Sequence, residues 1–168
     1  MFRKMRRFKQ LLPMEENERI LTERQTGILG CFGDEGYPYT VPVNYVYSDG
    51  RIFFHCAKDG HKIDAIKANP KVSFCVIERD DVDHELHTTR YRSVILFGKA
   101  RIIEDDEERR QRAYEFGLKY MPTPESVDKE IRKDWNGLCV VEITIDHMTG
   151  KENRELAAAR LKGQAEDR

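Results

Sequence analysis

The sequence predicts a mainly β fold with peripheral helices, a small antiparallel barrel, and three observations carry that reading. Short β-favouring runs such as Ile52-Phe53-Phe54 and Val72 to Ile77 recur at hairpin spacing, bounded by Asp49-Gly50 and Asn69-Pro70. Helical stretches are inserted between such runs without the repeated strand-helix-strand units of a doubly wound sheet. The long run from Tyr91 to Glu104 puts Val94, Leu96, Gly98, Ala100 and Ile102 on one face, where the two small residues leave room for a neighbour, as a curved sheet requires.

In chain order, Arg3 to Lys9 is a basic cluster, read as a solvated or disordered arm over residues 1–12. Pro13 to Arg24 reads as a surface helix with Met14, Ile20 and Leu21 among charges. Thr26 to Phe32 is a first strand, and Gly33-Asp34-Glu35-Gly36 has hairpin chemistry because glycine and aspartate tolerate positive φ. Tyr39 to Tyr47 is a second strand with Val41, Val43 and Tyr45 on one face and Thr40, Pro42 and Asn44 on the other. Pro42 lacks a ladder donor, which predicts an edge, a bulge or a ligand's approach to the backbone. Asp80 to His87 reads as an acidic, histidine-bearing loop without the helical histidine pair of a metal site. Asp105 or Asp106 is placed to cap a helix carrying Ala113, Phe116 and Leu118 to Tyr120, broken by Met121-Pro122-Thr123-Pro124. A more polar helix from Glu125 to about Asp134 and a last strand from Leu138 to Ile145 follow, and residues 154–168 read as a charged helical or frayed tail.

Length and composition bound the function. At 168 residues, with 39% hydrophobic and 35% charged residues, a single domain over 13–153 buries a core without metal or disulfide support. A net charge of −1 gives no overall field for nucleic acid. No apolar run has the length of a signal peptide core or a membrane span, so the expected location is cytoplasmic, with no membrane partner. Cys31, Cys56, Cys75 and Cys139 lack C-x-x-C spacing and lie in apolar runs, as free buried thiols do, which disfavours zinc and a disulfide framework. No G-x-S-x-G, P-loop or H-E-x-x-H occurs, which removes the motifs of serine hydrolases, P-loop nucleotide hydrolases and zincins.

The chemistry concentrates in residues 51–78, which read strand, glycine turn, short helix, proline stop, strand. Ile63 and Ile66 sit at i, i+3, with Lys62, Asp64 and Lys67 elsewhere on the turn, so a helix begins near Gly60-His61-Lys62. The first N–H groups of a helix have no internal partner and carry the positive end of its dipole, so a phosphate there gains directed hydrogen bonds. Lys62 and His61 would add charge. On pattern alone, an ordinary solvated helix face explains the same residues.

The motifs themselves resemble a known family. Phe53-Phe54-His55-Cys56-Ala57, Gly60-His61-Lys62-Ile63-Asp64 and Asn69-Pro70-x-Val72-Ser73-Phe74 resemble the flavin segment of the pyridoxamine 5'-phosphate oxidase-like split barrels. Gly36-Tyr37-Pro38-Tyr39-x-Val41-Pro42-Val43-Asn44-Tyr45, Tyr91-Arg92-Ser93-Val94-x-x-Phe97-Gly98-x-Ala100 and Thr149-Gly150-Lys151-Glu152-Asn153 resemble its nitroimidazole-resistance (Nim-type) branch. The resemblance implies an antiparallel split β-barrel that forms a homodimer with FMN between subunits. It assigns the FMN phosphate to Lys62 with His61 beside it, and the ring to the strands of Val43, Asn44, Tyr45 and of His55, Cys56, Ala57. Ser73, Arg92 and Ser93 complete the implied cofactor set. His55 matches the histidine facing the ligand pocket, where it would orient or protonate an acceptor. The implied activity is an FMN-dependent reductase with a small-molecule acceptor such as a nitroimidazole and NADH or NADPH as donor. A flavin- or haem-binding protein without turnover, with His55 or His61 as haem ligand, is the alternative; a purely structural interaction domain is a third reading. The substrate-phosphate motif of the pyridoxamine phosphate oxidases is not visible near the C-terminus, where Gly150-Lys151-Glu152-Asn153 stands instead.

Overall fold

Residues 1–166 are described by the computed structural model. Its elements are α1 (Met14–Glu23), β1 (Thr26–Phe32), β2 (Pro38–Asn44), β3 (Val46–Ser48), β4 (Arg51–Ala57), α2 (His61–Ala68), β5 (Lys71–Asp83), β6 (Thr88–Ile102), α3 (Asp106–Tyr120), α4 (Pro124–Asp134), β7 (Leu138–Glu152) and α5 (Arg154–Glu166). The strands form one antiparallel sheet of order β2-β1-β5-β6-β7-β4-β3. That sheet curls until β2 approaches β4, leaving a split between its two edges. The architecture is the expected split barrel with peripheral helices.

Alternation along the strands builds two cores. Ile52 and Phe54 of β4 join Val141 and Ile143 of β7 inside the barrel, with Leu29, Phe74, Val94 and Leu96. Phe53 and Val140 point the other way and pack with Ala113, Val127 and Ile131 under α3 and α4. Gly98 lies where the β6–β7 register shifts, and a Cβ there would collide with the Thr144 carbonyl. The small residue thus permits the close approach that the sequence implied. Asp105 caps α3 by accepting the Glu108 N–H at 2.8 Å, and Thr123 opens α4 in a capping box with Ser126.

Four expectations are corrected. The acidic stretch is not a free loop, because Asp80 to Asp83 continue β5 and pair with Tyr91 to Thr88 of β6. Both faces of that extension meet solvent, so its ladder needs no apolar alternation. The last strand does not stop at Ile145 but runs through Glu152, held by β6 along its whole second half. Tyr45 is no strand residue; it forms a corner between β2 and β3, fully buried, with its carbonyl accepting from Tyr120 Oη at 2.6 Å and Lys119 Nζ at 3.2 Å. The basic arm docks at its end, where Gln10 and Leu12 are buried and the Leu12 N–H donates to the Gly150 carbonyl at 3.1 Å. From α5, Arg160 reaches the Leu11 carbonyl at 3.1 Å. Residues 167 and 168 of the expected tail lie outside the described residues.

Candidate functional site

The site grows from the turn between β4 and α2. Gly60 adopts φ 120° and ψ 167°, a region that side chains exclude, and this sets the direction of α2. The N–H groups of Ile63 and Asp64 both donate to the Gly60 carbonyl, at 2.9 and 3.1 Å. Those of His61 and Lys62 have no partner among the described residues. Two directed donors therefore stand free at the positive end of the helix dipole. The His61 ring stacks on Tyr39 with centroids 4.0 Å apart, and its Nε2 lies 3.5 Å from Asp34 Oδ2. Lys62, half-buried, makes no ion pair among the described residues, and its charge is felt by the Cys31 and Cys56 thiols. Lys62 is thus a cation held by the fold and not neutralised by it.

Strand alternation splits the rest of the predicted set. Cys56 shares the barrel-interior face of β4 with Phe54, whereas His55 projects to the α3–α4 side. There the His55 ring meets Phe116 edge-on, centroids 4.4 Å apart, and lines a cavity of about 180 Å³ with Phe116, Met121, Val127 and Asp134. His55, Cys56, Ala57, Asp134 and Gly137 border a more open recess of about 460 Å³. Much of His55 is exposed, yet its ring lies against Phe116, and burial lowers its pKa while the Asp134 carboxylate acts in the opposite sense. Burial thus favours the neutral form of the imidazole.

Val43 and Asn44 lie on β2, whose residues pair with β1 on one side only. The opposite edge, facing the split, carries a row of unpaired N–H and C=O groups. Tyr45 contributes no such edge: its side chain is core, against Phe74 with ring centroids 5.1 Å apart, and its backbone is taken by Gln25, Lys119 and Tyr120.

Ser73 and Ser93 lie elsewhere. They sit on the outer face of β5 and β6 beside the exposed Ile77, Ile95 and Phe97, so a single chain does not bring them to Lys62. Arg92 points away from Ser93 and is consumed internally. Its Nη2 donates to Glu152 Oε2 at 2.9 Å and its Nη1 to Glu78 Oε2 at 3.2 Å. Arg160 and Arg19 complete the cluster, donating to Glu152 at 2.8 Å and Glu78 at 2.6 Å. Burial alone would raise the Glu78 pKa, but the hydrogen bond from Arg19 and the charges of Arg19 and Arg92 hold it below the usual carboxylate range. The guanidinium expected at the cofactor is, within one chain, a structural tie between β6 and β7. Tyr39, Phe116, Asp134 and Cys139 border the site although the motifs assign none of them to it. Tyr39 lay inside a quoted motif, but the other three meet it only through tertiary packing or strand register.

The family profile described as Pyridoxamine 5'-phosphate oxidase matches residues 13–152. The chain belongs to the pyridoxamine 5'-phosphate oxidase family. A curated relative, an uncharacterised protein of Rhizobium meliloti (strain 1021), is 32% identical over 92 residues, a match spanning 55% of this chain and 56% of that protein. The chain thus matches little more than half the length of that relative. Among solved structures, a candidate 5-nitroimidazole antibiotic resistance protein of Bacteroides thetaiotaomicron VPI-5482 aligns with TM-score 0.70 at 23% identity, over 84% of this chain and 86% of that one. A FAD-binding protein of Mesorhizobium loti aligns with TM-score 0.60 at 24% identity, over 86% of this chain and 97% of that one. At these identities the two structures establish the fold that this family member shares. No helix among its described residues is long and apolar enough to cross a membrane.

Proposed function

We propose that this family member is an FMN-dependent oxidoreductase that reduces a small acceptor of the nitroaromatic class. The observation that carries the reading is the α2 start, where two free N–H donors and the unpaired Lys62 form an anion site beside β4 and the split. The donor set fits a flavin phosphate: a charge-assisted bond from Lys62 and two backbone donors match its oxygens. The unpaired edge of β2 fits the polar rim of a flavin ring.

Bound flavin would supply the hydride and electron chemistry. Lys62, with the His61 and Lys62 N–H groups, holds the phosphate. Val43 and Asn44 offer backbone donors and acceptors along the split. His55, whose neutral form burial favours, offers in that form one N–H and one lone pair to the open recess, and so would position an acceptor by hydrogen bonding. Phe116 and Met121 keep the adjoining cavity apolar, favouring a flat ring over a sugar or a polyanion.

A second copy of the chain is part of the proposal. Phe32, Ile77, Ile95 and Phe97 expose apolar surface on the outer face of the sheet, next to Ser73 and Ser93. Covering that face with a partner would place both hydroxyls at an intersubunit groove. We place the protein in the cytoplasm, in keeping with four cysteines that form no structural disulfide.

The test is a visible spectrum of the purified protein, then FMN titration, then anaerobic NADH or NADPH followed by a nitroimidazole. Two broad flavin bands that bleach with nicotinamide and return with the nitro compound support the reductase. A Soret band instead would move the protein to haem binding, and colourless protein with no thermal shift from added FMN would reject a flavin role.

A further inference from the structure

Cys56 of β4 and Cys139 of β7 stand directly opposite each other in the ladder. Cross-strand partners in an antiparallel pair have Cα atoms about 4.5 to 5.5 Å apart. Disulfides span Cα separations of about 4.4 to 6.8 Å. Both side chains lie on the barrel-interior face of their strands, beside Phe54 and Val141, and each thiol perturbs the titration of the other. By contrast, Cys31 pairs with Tyr39, and Cys75 pairs with Ile28 and Ile95, so neither faces another cysteine.

The surroundings divide the labour between the two sulfurs. Cys56 is half-buried and borders the open recess, whereas Cys139 is 4% exposed behind it. Each thiol acts chiefly on the other: Cys139 and burial push Cys56 up, while Cys56 brings Cys139 down to about 7 against burial and with help from Lys67, Arg109 and Lys58, so the first proton leaves the pair as a unit. The pair therefore shares one thiolate near neutral pH, and Cys56 is the less buried of its two residues.

We propose that Cys56 and Cys139 form a redox-active dithiol that exchanges with low-molecular-weight disulfides and closes a reversible bridge between β4 and β7. The pair's single thiolate rests mainly on Cys139, which takes the Cys56 proton as Cys56 reacts. Cys56 attacks one sulfur of the external disulfide, forming a mixed disulfide and releasing one thiolate, which takes a proton from water. Cys139, losing its proton, then attacks Cys56 Sγ; the second external thiol leaves with that proton, and the new Cys56–Cys139 bond remains. Two electrons pass from the cysteine pair to the external disulfide, yielding two free thiols. The spacing is that of the reduced ladder, so closure needs no unfolding of the barrel. This inference is independent of the flavin reading, since neither sulfur needs a bound cofactor to react.

The experiment exposes the full-length reduced chain to oxidised glutathione, alkylates the remaining thiols after denaturation, and measures intact and peptide masses. The expected result is loss of two of the four thiols with no glutathione retained, and one linked peptide pair containing Cys56 and Cys139. Cys139→Ser should retain one glutathione on Cys56, and Cys56→Ser should keep all its remaining thiols. Wild-type protein that keeps four thiols, or that links a different pair, overturns the proposal. Peptide mapping of the unmutated chain decides the matter even if either variant fails to fold.

Discussion

Lys62 and Arg92 are both cations that one set of motifs assigns to the cofactor, and the fold treats them in opposite ways. Lys62 stands at a helix start with no carboxylate partner among the described residues, beside two N–H groups that the helix cannot satisfy. Arg92 is surrounded by Glu78 and by Glu152, which is wholly buried, in a cluster that also engages Arg19 and Arg160. A charge left free by the fold is poised for a ligand, whereas a charge answered by buried carboxylates is part of the structure. Residue type and motif position do not distinguish them. The count of internal partners does.

The comparison can be broken at several points. The largest effect belongs to Glu152→Ala, which removes the buried carboxylate shared by Arg92 and Arg160, leaves Arg92 only Glu78 and Arg160 only the Leu11 carbonyl, and should cost about 3 to 5 kcal/mol in a denaturant titration. A midpoint like that of the parent chain would mean that the cluster does not hold the strands. Next, Lys62→Ala should weaken FMN by roughly 1 to 3 kcal/mol while leaving stability within about 0.5 kcal/mol. Thr123→Ala removes the α4 cap and sets a scale of about 1 kcal/mol for a change remote from both cations.

Acidification sharpens the same contrast. Because His55 has a lowered pKa in the folded state, the unfolded chain takes up its proton first, and stability falls as pH drops below 6.5. The depressed Glu78 adds a further loss as pH falls through 4.5 and below. His55→Asn should remove only the upper part of that decline in a pH series of urea midpoints. Finally, Phe97→Arg should convert the expected dimer to monomer in light scattering without lowering the chain's own stability. A dimer that persists would place the intersubunit groove elsewhere.

How far the sequence discloses this depends on what each element needs. The β4–α2–β5 unit was legible because Asp49-Gly50, Gly60 and Asn69-Pro70 punctuate it and its apolar residues have nowhere else to go. The β5–β6 extension was not, since Asp80, Asp81 and Val82 sit in a solvated ladder whose stability comes from pairing. Tyr45 illustrates a second limit. Its alternation with Val41 and Val43 is right for a strand, but Lys119 and Tyr120 of α3 capture its backbone and turn the chain there. The inverse holds at Cys56, whose partner Cys139 lies 83 positions away and meets it only through strand register. For the site, the α2 anion cradle followed from helix physics, while the fate of Arg92 required knowing that Glu152 pairs opposite it.

The most direct measurement is a parallel FMN titration, followed by flavin fluorescence, of the parent chain and Lys62→Ala, with urea midpoints taken on the same samples. FMN should bind the variant roughly 5- to 150-fold more weakly at unchanged midpoint. Equal FMN affinity in the two proteins would contradict that expectation, and would mean that the α2 start does not hold the phosphate.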